Sequence, residues 1–228
     1  DHNSSMRTLV IGDIHGCNDA LLSLVEAIVL APEDRLITLG DYVDRGPSSR
    51  EVVDWLINWS KTGNLIPLLG NHEIMMASAS EDSESRSFWS AVGGAETIDS
   101  YTPAGVEKSL DHVPKNHWEF FDRCLPWYET ESHIFVHAGL VANVDLDHQP
   151  EFSLFWERFE NPQPHRSGKV MVCGHSPQDS GLPANLGHAV CIDTAACAGG
   201  WLTCLEPETG HYWQANQAGA RREDTLRS

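Results

Sequence analysis

The stretch Gly-Asp-Tyr-Val-Asp-Arg-Gly at residues 40–46 directly follows an apolar run, Leu-Ile-Thr-Leu, at residues 36–39. Two similar stretches, Gly-Asp-Ile-His-Gly at residues 12–16 and Gly-Asn-His-Glu at residues 70–73, also follow apolar runs. Asp, Asn and His side chains are ligands that divalent metal ions accept. Two shorter stretches repeat the plan later in the chain, His-Ala-Gly at 137–139 and Gly-His-Ser at 174–176. Each of the five predicted strands therefore ends in a potential metal ligand.

The segments that follow the first three stretches have the pattern of helices. Residues 18–30 carry apolar side chains at helical spacing, and Pro47 and Ser48 begin a second helical pattern that runs through Ile57. A short helix is predicted over residues 73–79. Strands that alternate with helices indicate an α/β fold with a parallel sheet. Because ligands collect at the carboxyl ends of parallel strands, we expect the five stretches to converge at one edge of the sheet.

Two later segments have a different character. Residues 78–87 are acidic and rich in serine, which predicts a mobile loop, and residues 88–101 are interpreted as a helical insertion. The apolar runs between residues 189 and 213, with a Glu-Pro-Glu-Thr-Gly turn at 206–210, predict a β-hairpin.

The domain organisation follows from the absence of a repeat or linker in the sequence. We expect a single domain at residues 6–215. Residues 1–5, which precede the first Met, are interpreted as a non-native remnant, and residues 216–228 as a flexible tail.

The formal net charge of −18 limits the partners of this protein. It argues against nucleic acid, whose phosphates would be repelled, and against docking on anionic membranes. The chain has no apolar run of about 18 residues and no secretory leader pattern. Its six cysteines form no Cys-x-x-Cys pair, so we expect free thiols in a reducing cytoplasm. A monomer is the expected oligomeric state.

The ligand types favour a site with two metal ions. Hydrolysis of a phosphate ester suits two ions about 3.5–4 Å apart, which contact the attacking and the leaving oxygen. Asp41 is the expected bridging ligand, because a carboxylate has two oxygens whereas a neutral imidazole has a single lone pair. The mixed nitrogen and oxygen ligands favour manganese, iron or zinc. The other predicted ligands are Asp13 and His15 for one ion, and Asn71, His137 and His175 for the other.

His72 adjoins a predicted ligand and is expected to protonate the leaving oxygen. Asp44 would bond to this imidazole and keep it cationic, because a nearby negative charge raises the pKa of a histidine. Arg45 and Arg158 are predicted to hold the phosphate group, since a guanidinium matches phosphate oxygens at two points. Asn71 and His72 are expected to contact the substrate as well. The predicted nucleophile is a hydroxide that bridges the two metal ions.

A simpler interpretation exists for each of these residues. A single His or Asp after a strand is more often a turn or capping residue than a ligand. Asp44 could be a carboxylate near a helix terminus, and Arg158 could stack on a neighbouring tryptophan. The simpler interpretation would have to hold independently at five strand ends, so the sequence favours the metal site.

Taken together, the five stretches resemble the motifs of the phosphoprotein phosphatases, within the calcineurin-like metallophosphoesterases. The resemblance extends from about residue 6 to about residue 205, and it is greatest to the compact bacterial and bacteriophage-lambda-type members. It implies an αββα sandwich, two metal ions, often manganese in bacterial members, and hydrolysis of phosphoserine, phosphothreonine and sometimes phosphotyrosine. The implied partner is a phosphoprotein or phosphopeptide. The roles known for the family fall on the residues assigned above.

The chain departs from this family pattern at two places. Ala138 stands where eukaryotic members have glycine, and residues 193–196 read Asp-Thr-Ala-Ala where bacterial members often have Asp-Thr-Gly-Ala. The first departure is a bacterial-type feature, and the second indicates a loop near the site that differs from that of the relatives.

Three alternatives to a protein phosphatase remain open from the sequence. The first is a hydrolase of diadenosine polyphosphates, a similar family whose members typically have Ala at the position of Asp44 and Asp at the position of Glu73. The presence of Asp44 and Glu73 favours phosphomonoesters as substrates. The second is a phosphatase of small molecules, and the third is a non-catalytic scaffold, which a complete set of site residues disfavours.

Overall fold

Residues 6–227 are described by a computed structural model and form two β-sheets that carry helices on their outer faces. The strands are β1 (Thr8–Ile11), β2 (Arg35–Thr38), β3 (Asn64–Pro67), β4 (Trp127–Glu129), β5 (His133–Val136), β6 (Val170–Cys173), β7 (Ala184–Asn185), β8 (Ala189–Cys191), β9 (Leu202–Glu206), β10 (His211–Ala215) and β11 (Arg221–Thr225). The helices are α1 (Asn18–Ala27), α2 (Ser49–Thr62), α3 (Asn71–Glu81), α4 (Ser83–Trp89), α5 (Ala95–Tyr101), α6 (Lys115–Asp122) and α7 (Glu151–Phe155).

The first sheet has the strand order β11-β10-β9-β1-β2-β3, and the second has the order β4-β5-β6-β8-β7. Strands β1, β2 and β3 are parallel, and β5, β6 and β8 are parallel in the second sheet. The predicted parallel strands are thus confirmed, and they are divided between two sheets. The predicted hairpin is also confirmed, because β9 and β10 pair as antiparallel neighbours.

Alternation along the strands creates the layers. On β1, Leu9 and Ile11 pack against the helices on the outer face, whereas Val10 points between the sheets. The layer between the sheets joins Val10 and Ile37 of the first sheet to Phe135 of the second. A third apolar layer covers the outer face of the second sheet, where α7 packs. The predicted αββα sandwich is therefore confirmed.

The acidic segment 78–87 is helical, so its prediction as a loop is wrong. Helix α3 runs to Glu81, and α4 begins at Ser83. The carboxylate of Asp82 between them accepts hydrogen bonds from the backbone N–H and the hydroxyl of Ser85, at 2.8 and 2.7 Å. This local cap gives a polar segment a defined helix start, which the composition alone did not indicate.

The segment 216–228, expected to be a flexible tail, contains β11 paired in register with β10. Arg222 of β11 lies over the Trp201 ring, 4.1 Å from its centroid, and donates a hydrogen bond of 2.6 Å to Gln214. The tail is therefore the edge strand of the first sheet up to Thr225. Residues 1–5, interpreted above as a non-native remnant, and Ser228 lie outside the described part of the chain.

The state of the cysteines and the presence of membrane-spanning helices can be examined in residues 6–227. All six cysteines have free thiols, and most of them are buried. Within residues 6–227, none of the helices has both the length and the apolar character that crossing a membrane requires.

Candidate metal centre

The carboxyl ends of β1, β2, β3, β5 and β6 bring the predicted ligands together. Asp41 and His15 are buried, and their neighbours in the site, Asn71 and His137, are buried as well. His175 follows β6 and is partly exposed at the mouth of the site. The convergence expected at a sheet edge is therefore present, although two sheets contribute to it.

Backbone hydrogen bonds join the loop after β1 to the loop after β2. The carbonyl oxygen of Asp41 accepts hydrogen bonds from the N–H groups of Ile14 and His15, at 3.1 and 2.8 Å. A Cβ at Gly46 would collide with the carbonyl oxygen of His15, so the close approach of the loops requires glycine there. His15 and Asp41 have φ angles of 45° and 51°, a left-handed conformation that is strained for non-glycine residues. The hydrogen bonds between the two loops hold the backbone in this conformation.

Two groups of side chains could each hold a metal ion, and Asp41 belongs to both. The first group is His15, Asp41 and His72, and the second is Asp41, His137 and His175. Within each group the potential ligand atoms lie within 4.8 Å of one another. The Asp41 Oδ2 atom is 3.4 Å from the Nε2 atoms of both His15 and His137. This shared position is what a bridging carboxylate requires.

Hydrogen bonds to backbone carbonyls orient the imidazole rings. The Nδ1–H groups of His15 and His137 donate to the carbonyl oxygens of Val43 and Leu39, at 2.8 and 2.7 Å. Their Nε2 atoms therefore face the site with a lone pair available, the arrangement in which a histidine binds a metal ion. Burial lowers the pKa of His15 to about 3, which favours the neutral ring that a ligand needs.

The amide oxygen of Asn71 lies between two of these rings. Its Oδ1 atom is 2.9 Å from His137 Nε2 and 3.1 Å from His175 Nδ1. Burial lowers the pKa of His137, but the charges and hydrogen bonds of its neighbours, led by the Asp41 carboxylate, are together larger, so the net pKa is raised. The environment thus favours positive charge at this point, which a metal ion supplies.

Carboxylates accumulate beside the imidazoles. Burial raises the pKa of Asp13 well above its usual value, and repulsion by Asp193 and Asp41 adds to the effect. Burial also raises the pKa of Asp193. Among residues 6–227 no buried Lys or Arg accompanies these buried carboxylates, and this arrangement fits a site for divalent cations. Asp13 is in neither of the two tight groups, and both of its oxygens lie 3.1 Å from the backbone N–H of His175.

Asp193 was missed as a site residue by the sequence analysis. It follows β8, and therefore obeys the same rule as the five stretches, a potential ligand directly beyond an apolar strand. The rule would have found it if it had been applied to the last parallel strand of the second sheet.

His72 is held by a buried network around Asp44. The Nδ1–H of His72 donates to Asp44 Oδ2 at 2.7 Å, as predicted for this pair. Trp89 Nε1 donates to the same oxygen at 2.7 Å, and the Thr97 hydroxyl donates to the other oxygen at 2.7 Å. Burial lowers the pKa of His72, but Asp41 and Asp44 together raise it. Trp89 and Thr97 were not predicted as members of this network.

Glu73 supports the loop after β2 and does not face the site. Its carboxylate accepts hydrogen bonds from the backbone N–H groups of Asp41, Tyr42 and Gly70, at 2.8, 2.7 and 3.0 Å. The side chain is 1% exposed. A residue with this role acts on the loop rather than on the substrate, so Glu73 is not a reliable indicator of substrate class.

A cavity of about 400 Å³ opens above the candidate ligands. Arg45 and Arg158 both line it, although they are 113 residues apart in the chain, and both are exposed. His72 lines the same cavity. The two predicted phosphate-holding residues and the predicted acid thus face one space. The other residues that line it are His15, Asp41, Asn71, Met75, Phe88, Val92, Trp156, His175 and Pro177.

Comparison with known proteins identifies the family. The profile of the calcineurin-like phosphoesterases matches residues 6–200. The symmetrical bis(5′-nucleosyl)-tetraphosphatase of Methylobacillus flagellatus is 42% identical over 137 residues, which cover 60% of this chain and 44% of that protein. The chain thus spans less than half the length of this curated relative.

Two solved structures show the same fold. One, described as a candidate diadenosine tetraphosphatase, superposes with a TM-score of 0.67 and 19% identity over 98% of this chain and 95% of that one. The other, a cold-active protein tyrosine phosphatase, has a TM-score of 0.67 and 15% identity over 96% of this chain and 79% of that one. At these identities the likeness concerns the fold alone.

The predictions of a serine/threonine protein phosphatase and of a phosphoprotein partner are wrong. The curated relatives are named symmetrical bis(5′-nucleosyl)-tetraphosphatases, which supports the dinucleotide alternative instead. The error came from using Asp44 and Glu73 to choose between substrates. Glu73 contacts backbone N–H groups, and Asp44 contacts His72, Trp89 and Thr97, so both residues hold other parts of the site in position.

Proposed function

The chain belongs to the calcineurin-like phosphoesterase family, and from this premise we propose that it hydrolyses dinucleoside polyphosphates such as diadenosine tetraphosphate. The reaction cleaves the central phosphoanhydride bond and releases two nucleoside diphosphates. The observation that carries this proposal is the 42% identity to a symmetrical tetraphosphatase, which accompanies a cavity lined by two arginines and the candidate ligands.

The candidate ligands fit two divalent metal ions, because the donor set is nitrogen and oxygen and the buried carboxylates need compensating charge. Manganese is the proposed ion, with iron or zinc as substitutes. When bound, the ions supply a nucleophilic water at neutral pH and neutralise the phosphate oxygens. The residues proposed to hold them are Asp13, His15, Asp41, Asn71, His137 and His175.

The polyphosphate is bound by local cations in a protein that is otherwise acidic. The net charge of −18 repels a polyanion at long range. Arg45 and Arg158 line the cavity and extend into solvent, so each guanidinium can reach phosphate oxygens with two hydrogen bonds. These two side chains orient the central phosphates toward the candidate ligands.

His72 supplies the proton to the departing oxygen. Its Nδ1–H is held by Asp44, which leaves Nε2 as the ring nitrogen available to a ligand in the cavity that His72 lines. The leaving group is the terminal phosphate of a nucleoside diphosphate, and the second pKa of such a phosphate is about 6. Proton donation therefore assists this reaction less than it would assist loss of an alkoxide.

Steady-state hydrolysis of diadenosine tetraphosphate tests this proposal. Protein reconstituted with manganese is expected to release ADP as the only nucleotide product, and excess chelator is expected to abolish the release. Separation of the nucleotides by chromatography distinguishes two ADP from AMP plus ATP. Production of AMP plus ATP, or no metal-dependent cleavage, would refute the proposed activity.

A further inference from the structure

An apolar cleft adjoins the cavity of the candidate metal centre. Its volume is about 400 Å³, and three of its lining residues, Met75, Phe88 and Trp156, also line the metal-site cavity. Ile74 adds further apolar surface. The two spaces therefore share side chains and are neighbours on the same surface.

Helices α3 and α4 shape this cleft. Ile74 and Ser78 are four residues apart on α3 and so lie on one face of that helix. On α4, Trp89 is fully buried and its Nε1–H donates a hydrogen bond to Asp44, whereas the preceding residue, Phe88, is 62% exposed. The buried tryptophan fixes the position of α4, which presents the Phe88 ring at the boundary between cleft and cavity.

The remaining residues that line the cleft are polar. They are Ser78, Glu84 and Ser85, and Glu84 is exposed. A carboxylate at this position repels phosphate but accepts hydrogen bonds from an amino group. The cleft is thus suited to the uncharged, aromatic end of a ligand whose phosphates lie on the arginine side.

We propose that this cleft binds one nucleobase of the substrate, with Phe88 and Trp156 contacting its faces and the Glu84 carboxylate accepting a hydrogen bond from its exocyclic amino group. The inference rests on the proposed dinucleotide hydrolysis for the identity of the ligand. A purine with an amino group, such as adenine, has the flat apolar surface and the donor that these residues require. The base would fix the register of the phosphate chain against the metal-site residues.

Binding of ADP and of pyrophosphate to the manganese-loaded protein tests the subsite without turnover. The two ligands share the diphosphate and differ in the nucleoside. Loss of an aromatic contact with a base costs on the order of tenfold in affinity. Phe88→Ala is therefore expected to raise the Kd of ADP about tenfold and to leave the Kd of pyrophosphate within about twofold. Phe88→Trp is expected to retain ADP affinity.

Phe152→Ala is the matched control, because Phe152 on α7 is equally exposed, at 67%, and is not among the residues that line either space. It should change neither Kd. Unchanged ADP affinity in Phe88→Ala, or equal losses for ADP and pyrophosphate, would overturn the subsite. Cleavage of diadenosine tetraphosphate by the wild type, measured separately, decides the proposed function, so failure of one is distinguishable from failure of the other.

Discussion

Asp41→Asn is expected to weaken metal binding at both candidate metal positions while the fold is retained. Asp41 Oδ1 accepts the backbone N–H of His72 at 3.0 Å, and an asparagine oxygen keeps this bond. The other oxygen, Oδ2, is the atom 3.4 Å from both His15 Nε2 and His137 Nε2. In the variant an NH₂ group takes its place, and it can donate to these imidazoles but cannot bind a cation.

The size of the effect follows from the shared position of Asp41. Loss of even a supporting contact costs about 10–100-fold in metal affinity. A tenfold loss for each of two ions removes about 2.7 kcal/mol of the stabilisation that bound metal provides. For a chain of this length, 1 kcal/mol changes the Tm by about 2–4 °C. The rise in Tm that manganese produces should therefore be smaller by roughly 5–11 °C in the variant.

Thermal unfolding with manganese and with excess chelator measures this difference, together with elemental analysis after gel filtration. Asp34→Asn is the matched control, because Asp34 is also buried but is bonded to Arg7 outside the site. It should lower the Tm without changing the manganese-dependent rise. Wild-type metal content and an unchanged manganese-dependent rise in Asp41→Asn would refute the bridging role.

Three further variants test other parts of the structure. His72→Asn should lower kcat on diadenosine tetraphosphate by roughly 10–100-fold with little change in KM, the low end for a lost general acid because the leaving group is a phosphate; an unchanged kcat would contradict the acid role. Arg45→Ala should raise the inhibition constant of inorganic phosphate about tenfold, whereas Arg50→Ala, on α2, should leave it unchanged; equal values would remove Arg45 from phosphate binding. Burial raises the pKa of Asp34, but bonds from Arg7 outweigh this and lower it. The resulting stability is present above the unfolded pKa of about 3.9 and is lost as pH falls through the folded pKa. Asp34→Asn should therefore be about 1–2 kcal/mol less stable in urea at pH 7, with the difference shrinking below pH 4 or so; a constant difference at all pH values would be inconsistent with this ion pair.

Local patterns in the sequence were sufficient to predict most strands and helices. The apolar run at 36–39 and the glycine at residue 40 are enough to place β2 and the loop that follows it. One segment whose structure depends on pairing with another strand, residues 221–225, was mispredicted. The strand β11 reads Arg-Arg-Glu-Asp-Thr and has no apolar alternation, so its conformation comes from pairing with β10.

The candidate site was predictable as a set of residues but not as a network. Asp44 and His72 were paired correctly from their chemistry, because both fall in recognisable stretches. Trp89 and Thr97 lie 45 and 53 residues from Asp44 in the chain. Nothing local marks a buried tryptophan as the donor to a particular carboxylate, so these partners could be identified only in the folded chain.

The sequence by itself determined the residues that could bind metal and the rule that places them beyond strands, because strand periodicity and glycine-rich turns are local properties of a chain. The tertiary structure alone decided that two sheets supply the candidate ligands. It also decided that Glu73 supports the loop after β2 and that Phe88 lies between two cavities. Each of these depends on which distant segments pack together, and packing is determined by the whole apolar core rather than by any short stretch.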